Sequence, residues 1–120
     1  MSYEYIIHKW NKNMEQRNID NTPLTQEEEE HLISMGAVGF TAAQVAAVFD
    51  LDPNMVKDQF RLERGVIYEI YYKGRLQSEL EIRSAVLKSA KNGSTPAQQQ
   101  MQEYYRQADD NQRELQYEQA

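Results

Sequence analysis

The 120-residue sequence predicts an all-α chain: a helix-turn-helix-like unit followed by a long antiparallel helical hairpin. Three observations predict it. Apolar residues recur at three- and four-residue spacing over most of the chain after Leu24. Successive runs open on Thr or Asp in a capping position, at Thr25, Thr41 and Asp52. Glycines punctuate the runs at Gly36, Gly65 and Gly93. Four regions follow: 1–22, an N-terminal arm or short helix; 23–64, the helix-turn-helix-like unit; 65–108, a hairpin for oligomerisation; and 109–120, a polar tail.

In the arm, Tyr3, Tyr5, Ile7 and Trp10 suggest a segment that packs, and Asn18 to Thr22 read as a loop. The first clear helix begins at TQEEEEHLISMG. Thr25 and Glu28 form a capping box, the acids suit the positive end of the helix dipole, and Leu32, Ile33 and Met35 supply the apolar face. Gly36 is expected to stop it. Thr41 and Gln44 form a second capping box, followed by the stripe Val45, Val48 and Phe49. Asp52 caps a third helix, with Pro53 in its first position. Met55, Val56 and Phe60 mark its apolar side, and Lys57, Gln59, Arg61 and Arg64 its polar side. Gly65 bends or interrupts the chain there.

From Val66 the apolar pattern runs on for about six turns, through Ile67, Ile70, Tyr71, Leu80, Val86 and Leu87. Gly74 falls inside it, at a crossing, a kink or a break, since a glycine costs a helix about 1 kcal/mol relative to alanine. Gly93 ends the run, Ser94 or Thr95 caps the next helix, and Pro96 suits its first turn. That last helix carries Ala97, Met101, Tyr104, Tyr105 and Ala108. Beyond Asp109 the sequence is polar and is expected to fray.

Composition narrows the function. The mean hydropathy of −0.84 and the 40% hydrophobic share are low for a monomer that closes its own core, and fit helices that finish their burial against other copies. Eight tyrosines fit the same reading, because tyrosine offers apolar area with a polar handle. The absence of cysteine excludes disulfides and cysteine-rich zinc sites and suits a reducing cytosol. No apolar run reaches membrane-spanning length, and MSYEYIIHKW lacks the pattern of a signal peptide. The net charge of −6 is unevenly placed. Residues 21–52 hold six acids and no Lys or Arg, whereas residues 53–91 hold eight Lys or Arg against five acids.

The two short helices around 41–49 and 53–62 have the spacing of a helix-turn-helix, with 25–35 as the supporting helix. In such a unit the later helix enters the major groove. The early polar residues that would meet base edges are Asn54, Lys57, Asp58 and Arg61, where Asn suits adenine and Lys or Arg suit guanine. Lys57, Arg61 and Arg64 suit phosphate equally well. A three-helix packing unit without a ligand has the same pattern.

Two segments carry a resemblance. GFTAAQVAAVFDLDPNMVKDQF and YYKGRLQSELEIRSAVLKSAKNGSTPAQQQM, about half of the chain, resemble the small subunit of tailed-phage DNA-packaging terminases. The first is similar to that family's helix-turn-helix. The second is similar to the segment after it: an aromatic, a Gly-Arg step, a long helix ending in Ala-Lys-Asn-Gly, and a second helix. The second helix here, TPAQQQMQEYYRQ, is more polar than in many relatives. The resemblance implies a non-catalytic subunit that binds the packaging site on viral double-stranded DNA and regulates or recruits the large ATPase-nuclease subunit. It implies a homo-oligomer in a ring, in the cytoplasm of an infected or prophage-carrying bacterial host. It puts Asn54, Lys57 and Arg61 on the recognition helix, and Tyr71, Leu80, Val86, Met101 and Tyr104 in or beside the oligomerisation hairpin.

Nothing in the sequence points to catalysis, a cofactor or a metal. The only histidines are His8 and His31, and no metal-ligand spacing surrounds them. Glu27 to Glu30 point in successive directions around a helix and do not converge. GAVG at 36–39 lacks the Gly-Lys-Ser/Thr of a phosphate loop. Two other readings fit the same unit: a dimeric transcriptional regulator, and a helical adaptor that does not bind DNA.

Overall fold

Four of the five helix starts among the described residues are fixed by side chains within a few residues of them. The structure, a computed structural model, describes residues 16–119. The expectations for Tyr3, Tyr5, Ile7, His8 and Trp10 lie outside the described residues. Those that are described form five helices and no strand: α1 (Gln26–Val38), α2 (Ala42–Phe49), α3 (Pro53–Leu62), α4 (Val66–Lys91) and α5 (Thr95–Gln119). One compact unit ends at Ser78 and a second begins at Glu79, both within α4.

The three expected caps of the first unit are present. Thr25 Oγ1 accepts the Glu28 N–H at 3.1 Å while the Glu28 carboxylate accepts the Thr25 N–H at 3.0 Å. Thr41 and Gln44 repeat the box at 3.2 and 2.9 Å. Asp52 Oδ1 accepts the Asn54 N–H at 3.0 Å, with Pro53 at the first helical position. These bonds satisfy amides that a helix start leaves without partners.

The expected stop at Gly36 is corrected. α1 runs to Val38 and ends at Gly39, whose φ of +81° suits a left-handed cap. Gly36 is instead a crossing point: a Cβ there would stand 1.9 Å from the Tyr71 carbonyl oxygen. Gly74 is the counterpart on α4, where a Cβ would stand 1.8 Å from the Ile33 carbonyl oxygen. Two glycines let the backbones of α1 and α4 touch, so Gly74 marks a crossing within a continuous helix.

Around that crossing lies the core of the first unit: Leu32, Met35, Val45, Ala46, Phe49, Leu51, Val56, Ile67 and Tyr71. Leu24, Met55, Phe60 and Ile70 pack against it. The α2 stripe needs one correction. Val45 and Phe49 are buried, but Val48 is 44% exposed and Ala46 takes the inward position between them. Before α1, Arg17 ties the lead-in segment to the unit. Its backbone N–H donates to the Asp50 carbonyl at 2.8 Å, and its guanidinium grips Glu28 with two bonds of 2.6 and 3.0 Å.

The second unit comprises the end of α4 and α5. The Gly93 N–H donates to the Ala90 carbonyl and the Ser94 N–H to the Ser89 carbonyl, both at 3.1 Å, with Gly93 at φ +98°. This is the paired C-terminal closure for which glycine is suited. Ser94 Oγ accepts the Ala97 N–H at 3.4 Å and the Gln98 side-chain amide donates back to the Ala90 carbonyl at 3.1 Å. The Arg83 guanidinium lies 4.2 Å from the centre of the Tyr104 ring. The stretch after Asp109, expected to fray, is helical in the structure: α5 continues to Gln119. Arg106 pairs with Glu103 and Asp110, and Arg113 with Asp110, at helical three- and four-residue spacing. Such pairs support an exposed helix by a few tenths of a kcal/mol each.

Candidate nucleic-acid interface

α3 has two unlike sides. Val56 is fully buried, and Met55, Gln59 and Phe60 are half-buried. Asn54, Lys57, Asp58 and Arg61 are all exposed on the other side. Their spacing puts the four on one strip of the helix surface. Arg64 follows the helix end, exposed, its backbone N–H donating to the Gln59 carbonyl at 3.1 Å. Glu63, at φ +54°, is the left-handed C-cap that turns the chain toward Gly65.

The strip is polar and predominantly cationic. Arg61 Nη2 lies 3.3 Å from Asp58 Oδ1, with both side chains well over half exposed. An ion pair so open to water is weak, so the guanidinium exchanges readily to another anion. Among the described residues, Lys57 and Arg64 make no ion pair. Beside the strip is an open depression of about 620 Å³, with Met55 and Leu62 among its apolar lining and Asn54, Asp58 and Arg64 at its polar edge. This surface can donate hydrogen bonds and charge to a ligand. Among the described residues no group of three or more His, Cys, Asp or Glu is placed to hold a metal ion. Nor is any helix among them long and apolar enough to cross a membrane.

The residues assigned to oligomerisation fall in different settings. Leu80 is 68% exposed, and Val86, Met101 and Tyr104 are half-buried. Tyr71 is 7% exposed and belongs to the core of the first unit. Its hydroxyl donates to the Phe40 carbonyl at 2.7 Å and its ring lies against Phe60, 4.6 Å between centres. That burial leaves Tyr71 little surface to offer another chain.

Three features escaped the sequence reading. Gln59 points inward and away from the polar strip: its Oε1 accepts the N–H groups of Ile67 and Tyr68 at 3.0 and 3.1 Å. The available signal was Gly65, which leaves the start of α4 without a capping side chain of its own. Tyr68 and Tyr72 stack at 5.4 Å, with Phe60 edge-on to Tyr68. Burial, aided by Glu63, raises the Tyr68 hydroxyl above its ordinary pKa, with Arg75 opposing. Arg17 is the third. Its hydrogen bonds, with that of the Thr25 amide, hold the Glu28 carboxyl down to about 2, and Glu28 in turn raises Arg17.

Compared with known proteins, the chain matches no family model, no curated protein and no solved structure. The terminase resemblance therefore stands on its two sequence segments alone.

Proposed function

We infer that this protein is a non-catalytic DNA-recognition subunit of the terminase small-subunit kind, with α2 and α3 as its helix-turn-helix and α3 as the helix that meets the duplex. One observation carries the reading: Asn54, Lys57 and Arg61 stand exposed in a row on α3 while Val56 anchors the opposite side at zero exposure. A helix held this way presents its polar row as a rigid unit, as groove recognition requires. In this reading Asn54 meets a base edge, Lys57 and Arg61 meet bases or phosphate, and Arg64 meets phosphate.

The second half of the reading is assembly. Leu80, Ile82, Tyr105 and Leu115 are each more than half exposed in the second unit. Their apolar area supports a hairpin that buries itself against other copies, with Val86, Met101 and Tyr104 beside the contact. A closed ring places several weak DNA-binding heads on one segment, and the large ATPase-nuclease subunit supplies the chemistry.

The test is binding of labelled duplex DNA over a range of salt, together with native mass. Affinity is expected to fall steeply with salt. The double variant Lys57→Ala, Arg61→Ala is expected to lose binding and reduce the salt dependence while native mass is unchanged. Unchanged binding would remove α3 as the DNA-facing helix. A closed assembly of several copies supports the packaging role, whereas a stable dimer points to a regulator that reads two half-sites.

A further inference from the structure

α4 begins without a cap of its own. Gly65 stands where an N-terminal capping side chain would be, at a φ of +108° that side-chain-bearing residues rarely adopt. The amides of Ile67 and Tyr68, the second and third residues of α4, are the donors that such a side chain would satisfy. Gln59 satisfies them instead. It reaches from α3, across seven intervening residues, and its one carbonyl oxygen accepts both. Its amide nitrogen donates to Met55 Sδ at 3.2 Å, which fixes the side chain along α3. The fit requires glycine at 65, since a Cβ there would stand 2.4 Å from Gln59 Cδ.

We propose that Gln59 is a positioning residue, which caps α4 from α3 and thereby sets how the candidate DNA-facing strip is held. The assignment of a DNA contact to that strip rests on the function inferred above; the cap does not. The role assigned to Gln59 is to hold the strip, not to contact DNA. Gln59 lies between Asp58 and Phe60 on the turn that also carries Lys57 and Arg61, so a rigid link there restrains both cations. Releasing it leaves two buried or half-buried amides without partners and frees the end of α3 to move.

The test compares the full chain with the variants Gln59→Ala and Gln59→Glu, by residue-resolved amide hydrogen exchange and by binding of labelled duplex DNA of mixed sequence at several salt concentrations. In Gln59→Ala, exchange should accelerate at Ile67 and Tyr68 and along the last turn of α3, with the Glu28 and Gln44 amides unchanged. DNA affinity should fall several-fold, with roughly tenfold as the ceiling if binding must restore all the order that the cap supplied, and with the same salt slope because the phosphate contacts remain. Gln59→Glu should restore the Ile67 and Tyr68 protection, since a carboxylate accepts the same two bonds at the positive end of a helix. If Gln59→Ala does not fold, the Gln59→Glu protection decides, and its failure to restore those amides overturns the cap. Faster exchange at Ile67 and Tyr68 with an unmoved α3 overturns the positioning role. So does unchanged affinity in a protein whose Lys57→Ala, Arg61→Ala variant has lost it. Wild-type protein that binds no duplex removes the DNA reading, and exchange along α3 then upholds or overturns the positioning role by itself.

Discussion

The two units of the chain are held together by different physics. The first, up to Ser78, closes a core of nine buried residues and ties its segments together by side-chain bonds: Arg17 of the lead-in to Glu28, Gln59 of α3 to α4, and Tyr71 of α4 to Phe40 in the turn after α1. The second, from Glu79, has a single buried apolar residue among those described, Ala90, and leaves Leu80, Ile82, Tyr105, Leu115 and Tyr117 open to solvent. Its order comes from local terms: the Gly93 closure, the Ser94 cap, the Arg83–Tyr104 contact and ion pairs along α5. The contrast teaches that one chain can contain a unit that buries most of its apolar side chains internally and a unit that leaves most of them exposed. It also explains the low mean hydropathy, because the polar length of α5 dilutes an ordinary core.

The comparison breaks most sharply at the glycine crossing. Gly74→Leu should cost several kcal/mol, at or above the usual overpacking range, because the new Cβ meets backbone that has nowhere to retreat. Denaturant melts read by the Trp-independent far-UV signal should show the first unit lost. Next in size, Ile67→Ala should cost about 2–5 kcal/mol, since the side chain is fully buried; an equivalent truncation in the second unit, Leu80→Ala, should stay within about 0.5 kcal/mol for an isolated chain. A concentration-dependent melting loss in Leu80→Ala would instead place that residue in a contact between copies.

Below the Ile67 effect in size is the Glu28 ion pair. Its carboxyl is lowered from 4.5 to about 2 in the folded chain, so its contribution is full above pH 4.5 and disappears as the pH falls toward 2. Allowing for the partly exposed geometry, with Arg17 and Glu28 at 15 and 29% side-chain exposure, that contribution is about 1–2 kcal/mol. Glu28→Gln should flatten the pH dependence of stability across this window. As small as the Leu80 effect is that of Arg106→Ala in α5, expected to lower the helical signal slightly with no more than about 0.5 kcal/mol lost.

Much of the first unit was legible because its signals are close in sequence. The Thr25, Thr41 and Asp52 caps were each readable within four residues, as was the Gly93 stop. The candidate strip was legible for the same reason, since Asn54, Lys57, Asp58 and Arg61 fall on one side of a helix whose start is marked by Asp-Pro. Gln59 was read onto that side because it sits among them, and its actual direction depends on an α4 start several residues later. Tyr71 was read into the hairpin because it lies on α4, while its setting is decided by Phe40 and Phe60. The helical end of α5 was missed because polar composition alone does not reveal the Arg106 and Arg113 pairings that support it.

The sequence by itself determined where α1, α2, α3 and α5 start, that no strand competes with the helices among the described residues, and that Asn54, Lys57, Asp58 and Arg61 share one exposed side of α3. These follow from capping and periodicity, which act over one or two turns. Only the tertiary structure decided that Gly36 and Gly74 are a crossing and not a stop and a break, that Gln59 caps α4, and that Arg17 grips Glu28. In each case the deciding contact joins segments separated in the chain, and their meeting is set by how the helices pack around a shared core.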